Sequence, residues 1–133
     1  MQIAFHHICI QTNNYSASKD FYVNMLGFEV YKETAGFHNR DFNTWLKLGN
    51  MFIELQTGKN KEVLALDNQK SEGIVHFAMF VEDLDSLINK MVQNGYSFKK
   101  KNGENKYFVE NGYLAKVIAP EGTIIELRDV WEL

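Results

Sequence analysis

The chain has 133 residues, 45% hydrophobic and 23% charged, an ordinary balance for a folded protein of one domain or two very small subdomains. Its 17 acidic and 14 basic residues leave a formal charge of −3, which gives no electrostatic case for binding nucleic acid. No apolar run approaches the ~20 residues of a membrane-spanning helix, the N-terminal MQIAFHHICIQ lacks the order of a signal peptide, and the lone Cys9 excludes an internal disulfide, so the chain is expected in the cytoplasm.

Residues 2–11 read as a strand whose alternation places His7, Cys9 and Gln11 on one face and Ile8 and Ile10 on the other. Asn13-Asn14 offers helix-capping groups. A helix is expected over 15–26 with an apolar stripe of Phe21, Tyr22, Met25 and Leu26, closed by Gly27 in a left-handed conformation. Strands at about 28–34, 42–48 and 51–56 follow, with His38 exposed in a loop over 36–41 and a hairpin turn at Gly49-Asn50. A polar connector runs from Thr57 to Glu72, with room for a short helical turn at Val63–Leu66.

The order then begins again. Residues 74–81 read as a strand with His76, Ala78 and Phe80 on one face; Asp83 caps a helix with the stripe Leu84, Leu87, Ile88 and Met91; and Gly95 ends it. Strands at about 96–100, 113–118 and 123–128 follow, with 105–110 extending the second or forming its turn, and Pro120-Glu121-Gly122 turning between the last two. The basic run Lys99-Lys100-Lys101 reads as a solvated strand end or loop. His7 stands seven residues before Asn14, and His76 seven before Asp83; Phe52-Ile53-Glu54-Leu55 is echoed by Ile124-Ile125-Glu126-Leu127. Strand, helix and three strands, stated twice, point to an internal duplication with modules at 1–66 and 67–133 sharing one domain, in the α+β class.

In each half a histidine sits on the first strand and a glutamate on the last. Glu54 lies opposite Ile53 and Leu55, and Glu126 opposite Ile125 and Leu127, so each carboxylate faces away from the apolar side. Burying an uncompensated carboxylate is costly, and a metal ion removes the cost. His7, Glu54, His76 and Glu126 are therefore the candidate metal ligands. Two imidazoles and two carboxylates suit Zn(II), Ni(II), Co(II), Fe(II) or Mn(II) better than Ca(II). In an ideal strand His6 faces away from His7. Cys9 shares the His7 face and reads as a small core residue. Phe42, Trp45, Phe52 and Phe80 are candidate walls of an apolar pocket, and Asn102, Asn105 and Tyr107 a candidate covering loop.

The stretches HHICI, FYVNMLGFEV, LGNMFIELQ, IVHFAMFVEDLDSL and IAPEGTIIELRD resemble the glyoxalase/bleomycin-resistance/extradiol-dioxygenase superfamily, also called vicinal oxygen chelate proteins, over essentially the whole chain. The resemblance implies two tandem βαβββ modules forming a cupped mixed sheet around one divalent ion, Ni(II) or Zn(II) first, with Co(II), Mn(II) or Fe(II) as other occupants, and a homodimer. In glyoxalase I enzymes the metal positions are His, Glu, His and Glu, matching His7, Glu54, His76 and Glu126 here. That set implies proton transfer on the thiohemiacetal of a 2-oxoaldehyde such as methylglyoxal, with Glu126 as catalytic base and Glu54 as the second catalytic carboxylate.

Two positions depart from the glutathione-dependent pattern. Gln11 stands where bacterial glyoxalase I enzymes have arginine, and Gly58 where they tend to have asparagine. The substrate is thus a small molecule that is open between a glutathione adduct, another thiol adduct and a thiol-free hydroxycarbonyl compound. The alternatives are another reaction of the superfamily (epimerisation, thiol transfer or oxygen-dependent cleavage) or a resistance protein that binds a small molecule without turning it over.

Overall fold

A computed structural model describes residues 1–66, 68 and 70–133. Two compact units divide the chain, Met1–Ala65 and Leu66–Leu133. Each unit is a βαβββ module, and the tandem pair is the vicinal oxygen chelate fold.

The first unit runs β1 (His7–Gln11), α1 (Tyr15–Asp20), β2 (Glu29–Phe37), β3 (Arg40–Leu48) and β4 (Met51–Gln56), in the sheet order β1-β4-β3-β2. β1 lies parallel to β4, and the other pairs are antiparallel. The helix has its polar start where Asn13-Asn14 foretold it: the Asn14 side chain accepts from the Ala17 N–H. It continues past Asp20 as a π-helical turn over Phe21–Met25, with Leu26 N–H donating to Phe21 C=O at 3.3 Å. That wider turn keeps Phe21, Tyr22 and Met25 all buried. Gly27 then reverses the chain at φ +84°, a conformation that favours glycine. Ile10, Leu46, Ile53 and Leu55 complete the core on one side of the sheet.

The second unit runs β5 (Phe77–Phe80), α2 (Leu84–Gln93), β6 (Lys106–Val109), β7 (Gly112–Ile118) and β8 (Ile124–Arg128), in the order β5-β8-β7-β6. Its pairing repeats the first unit's, with β5 parallel to β8. Asp83 caps α2 by accepting from Ser86 N–H, and Leu84, Ile88 and Met91 are buried as the stripe requires. Ile125, Leu127, Ala115 and Val117 form the apolar side of this sheet.

Several boundaries differ from the sequence reading. The first strand begins at His7, and residues 1–6 are exposed ahead of it. The expected loop over 36–41 is a tight hairpin: Phe37 pairs with Arg40, and His38 and Asn39 both take positive φ in the turn, where His38 stays exposed. In the second unit the expected strand at 96–100 is a single bridge, Phe98 to Val117, and the edge strand is Lys106–Val109 instead. Phe98 is the buried residue of that stretch; its polar neighbours have no apolar face to commit to a ladder. Of the connector 57–72, residues 67 and 69 lie outside the described residues; the remainder holds no helix. No helix among the described residues is long and apolar enough to cross a membrane.

Candidate functional site

Residues paired in register project to the same side of a sheet. Cys9 pairs with Glu54 and Gln11 with Gln56, while Glu54 and Gln56 pair across β3 with Trp45 and Asn43. With Ile53 and Leu55 fully buried on the helix side, the opposite side of the first sheet carries His7, Cys9, Gln11, Glu54, Gln56, Asn43 and Trp45. The same logic in the second unit, where Ala78 pairs with Glu126 and Phe80 with Arg128, puts these four on one side.

Each unit then brings one histidine to one glutamate. His7 Nε2 stands 3.6 Å from Glu54 Oε1, and His76 Nε2 stands 3.6 Å from Glu126 Oε1. His7 opens β1, whereas His76 lies one residue ahead of β5, not within the strand as the sequence suggested. Both imidazoles are about one-third exposed, and Glu126 is the more deeply buried of the two carboxylates, at 11% side-chain exposure against 18% for Glu54. Among the described residues no group of three or more His, Cys, Asp or Glu side chains forms a metal cage, so each unit by itself presents a two-donor half-site.

The surroundings contain residues that sequence reasoning misplaced or missed. His6 does not face away from His7. Because the strand starts only at His7, the His6 ring turns back, with Nδ1 to Nδ1 at 2.7 Å and the rings edge-on at 5.0 Å. One of these nitrogens donates to the other, which fixes the His7 ring and leaves Nε2 aimed at Glu54. Trp45 packs edge-on against the His7 ring at 4.7 Å, and Phe52 stacks on His6. Phe42 is not part of this wall: it stacks on Tyr15 of α1, on the helix side, where the Tyr15 hydroxyl also meets Thr44. Cys9 is not a core residue. It is open to solvent in part, and its thiol is pushed up to about 11 by partial burial, then by the charge of Glu54 and a hydrogen bond to that carboxylate, with Arg40 pulling the other way.

In the second unit Tyr107 has its phenol raised, first by burial and then by the negative charge of Glu126, which places it in the field of that carboxylate. Phe80 stacks on Trp131, a residue no spacing rule singled out. Among the described residues, three buried side-chain atoms lack a hydrogen-bond partner: His76 Nδ1, Asn105 Oδ1 and Arg128 Nε. Lys99, Lys100 and Lys101 are solvated as expected, and Lys101 Nζ lies over the Tyr107 ring.

A family model described as the Glyoxalase/Bleomycin resistance protein/Dioxygenase superfamily matches residues 4–127. The chain belongs to that superfamily. An uncharacterized protein of Bacillus subtilis, YwkD, is 31% identical over 93 residues, covering 69% of this chain and 72% of YwkD. A solved glyoxalase family protein from Enterococcus faecalis superposes with a TM-score of 0.78 at 26% identity, covering 95% of this chain and 97% of that one. The trypanothione-dependent glyoxalase I of Leishmania major shares the fold, with a TM-score of 0.74 at 23% identity and coverage of 96% and 87%. The superfamily includes enzymes such as glyoxalase I alongside non-enzymatic members; members typically bind a divalent metal, take small-molecule substrates and often form dimers.

The donor set fits such a metal. A separation of 3.6 Å is too long for a hydrogen bond. It is close to the ~3.4 Å that separates two donors each ~2.1 Å from one tetrahedral ion. Glu126 is 9% exposed and its carboxylate faces His76 Nε2, and a cation there would offset the cost of burying its charge. The superfamily departures also find physical reasons. A Cβ at Gly58 would lie 2.7 Å from Glu62 C=O, so the connector has closed over the position where an asparagine side chain would stand. At Gln11 a guanidinium is present after all, delivered from β3: Arg40 Nη1 donates to Gln11 Oε1 at 2.9 Å.

Proposed function

We propose that this protein is a divalent-metal-dependent lyase or isomerase of the glyoxalase I type. It moves a carbon-bound proton in the thiohemiacetal of a 2-oxoaldehyde such as methylglyoxal, and works as a cytoplasmic homodimer. The observation that carries the reading is the equal His Nε2–Glu Oε1 spacing of 3.6 Å at equivalent positions of both units. His7, Glu54, His76 and Glu126 are the ion's ligands, two from each unit. The ion, Ni(II) or Zn(II) first, supplies positive charge that polarises neighbouring carbonyl and hydroxyl oxygens and favours loss of the proton between them.

The chain's own groups divide the remaining work. Glu126, the more buried carboxylate, takes the proton from one carbon and returns it to the adjacent carbon, so the step is an isomerisation with no net gain or loss of atoms. Glu54 accepts a hydrogen bond from the Cys9 thiol and acts chiefly as a ligand. His7, oriented by His6 and walled by Trp45, stays a neutral nitrogen donor. Phe80 and Trp131 supply apolar surface on the Glu126 side of the second sheet.

The test is reconstitution of metal-free protein with Ni(II), Zn(II), Co(II), Mn(II) or anaerobic Fe(II), followed by assay of methylglyoxal with several low-molecular-weight thiols. Product is expected without oxygen and is lost in Glu126→Gln and His76→Ala. Unchanged activity in both variants would reject the site, and an oxygen requirement would reject the reaction class.

A further inference from the structure

Arg40 carries a charge that the fold does not neutralise. Its Nη1 donates to Gln11 Oε1 at 2.9 Å and to Thr57 C=O at 2.6 Å. With the Gln56 amide turned so that each of its atoms meets a complementary partner, its oxygen accepts from Nη1 and Nη2 at 3.2 and 3.3 Å and its nitrogen donates to Asn43 Oδ1 at 2.8 Å. Asn43 is buried, so this network is anchored in the sheet rather than draped over it. All of these acceptors are neutral oxygens. Among the described residues no Asp or Glu forms an ion pair with Arg40, whereas Lys19, Lys61 and Lys106 each have one.

A guanidinium keeps its charge at any working pH. Held through Nη1 and one Nη2 proton by neutral dipoles, it has no further partner among the described residues for Nε–H and the second Nη2 proton, an edge whose flat geometry matches a carboxylate bidentately. The place matters as much as the charge. Gln11 and Gln56 lie two residues beyond Cys9 and Glu54 on the same side of the same strands, about 7 Å further along. One side of this sheet therefore carries an imidazole–carboxylate pair with a thiol beside the carboxylate and, further along, a guanidinium with no ionic partner among the described residues.

We propose that Arg40 is a substrate-binding residue that takes a carboxylate, so that the site selects small compounds bearing an acid group a few atoms from their reacting oxygens. For the reacting end this rests on the reading given above, which it deepens by naming the substrate class. One guanidinium matches one negative charge, and the Glu54 carboxylate on the same face weighs against a doubly charged phosphate.

The test uses the full-length, 15N-labelled protein, with zinc and again after its removal by chelation. The Arg40 Nε–H and the Gln11 and Gln56 side-chain amide signals are followed by NMR during titration with monomethyl succinate, dimethyl succinate and inorganic phosphate. The monoanion is expected to shift these signals saturably in both metal states, the neutral diester to leave them in place, and phosphate to bind more weakly. Arg40→Gln is expected to weaken the monoanion about tenfold or more, and Arg40→Lys to fall between. Monoanion affinity that is unchanged in Arg40→Gln, or equal binding of the diester, would overturn the subsite; equally tight phosphate would overturn its assignment to carboxylate. The wild-type titration decides the matter even if a variant does not fold. Zinc content is read separately, so loss of the metal centre and loss of this subsite are distinct results.

Discussion

The two units present the same pair of side chains on the same kind of sheet but surround it differently. In the first, the polar side is saturated: His6 holds His7, Cys9 touches Glu54, and Gln11, Gln56, Asn43 and Arg40 hold one another. In the second, the equivalent side sets apolar residues beside Glu126 and Arg128. Ala78 stands where Cys9 does, Phe80 where Gln11 does, and Glu126 is buried beside an imidazole whose Nδ1 has no partner. A satisfied polar network fixes groups and holds a ligand; a buried carboxylate with few partners is a better base. The two half-sites share one His–Glu spacing, and the proposed division of labour, binding in the first and proton transfer in the second, rests on how their surroundings differ.

The largest expected effect breaks or keeps that asymmetry. Once turnover is established, Glu126→Gln is expected to cost about 10²–10⁴-fold in kcat, the usual worth of a positioned base. Glu54→Gln is expected to act mainly on metal affinity, read by the metal concentration giving half activity. Equal losses of kcat in the two variants would remove the division of labour. Next in size, Ile53→Ala and Ile125→Ala delete equivalent, fully buried side chains beneath the two glutamates. Each is expected to cost ~2–5 kcal/mol in urea unfolding. A cost near zero in one unit would mean that its apolar side is not the core described here.

Much of this was legible in advance because duplication doubles a weak signal. Ile53-Glu54-Leu55 and Ile125-Glu126-Leu127 have strand period, and their isoleucines and leucines are buried as that period demands. Asn14 and Asp83 cap because their side chains serve helix N–H groups locally. What escaped depended on where strands stop. An ideal-strand rule sends His6 away from His7, and the rule fails because β1 starts one residue later. The stretch 96–100 reads as a strand but buries only Phe98 and forms only one bridge. Arg40 was invisible because its partners, Gln11 and Gln56, are contributed by two other strands, and only the folded register brings them together.

The smallest expected effect compares the two helix caps. The Asp83 carboxyl is held below its ordinary value by the Ser86 hydroxyl and then by the Ser86 backbone N–H, whereas Asn14 carries no charge. A depressed carboxyl stabilises the fold above the pKa it has when unfolded, and that contribution is lost as pH falls through the folded value. Thermal melts of wild type and Asp83→Asn are therefore expected to differ at about pH 6 and to begin converging only as pH falls below about 4, through the depressed folded value. A difference that stays constant with pH would show that the cap's charge contributes nothing.

The most direct measurement is the stoichiometry and absorption of Co(II) bound by the full-length protein and by His7→Ala and His76→Ala. If both units feed one kind of centre, wild type takes up one ion per chain with the visible bands of a nitrogen–oxygen site, and each variant loses most of that uptake. Full uptake with an unchanged spectrum in either variant would contradict it.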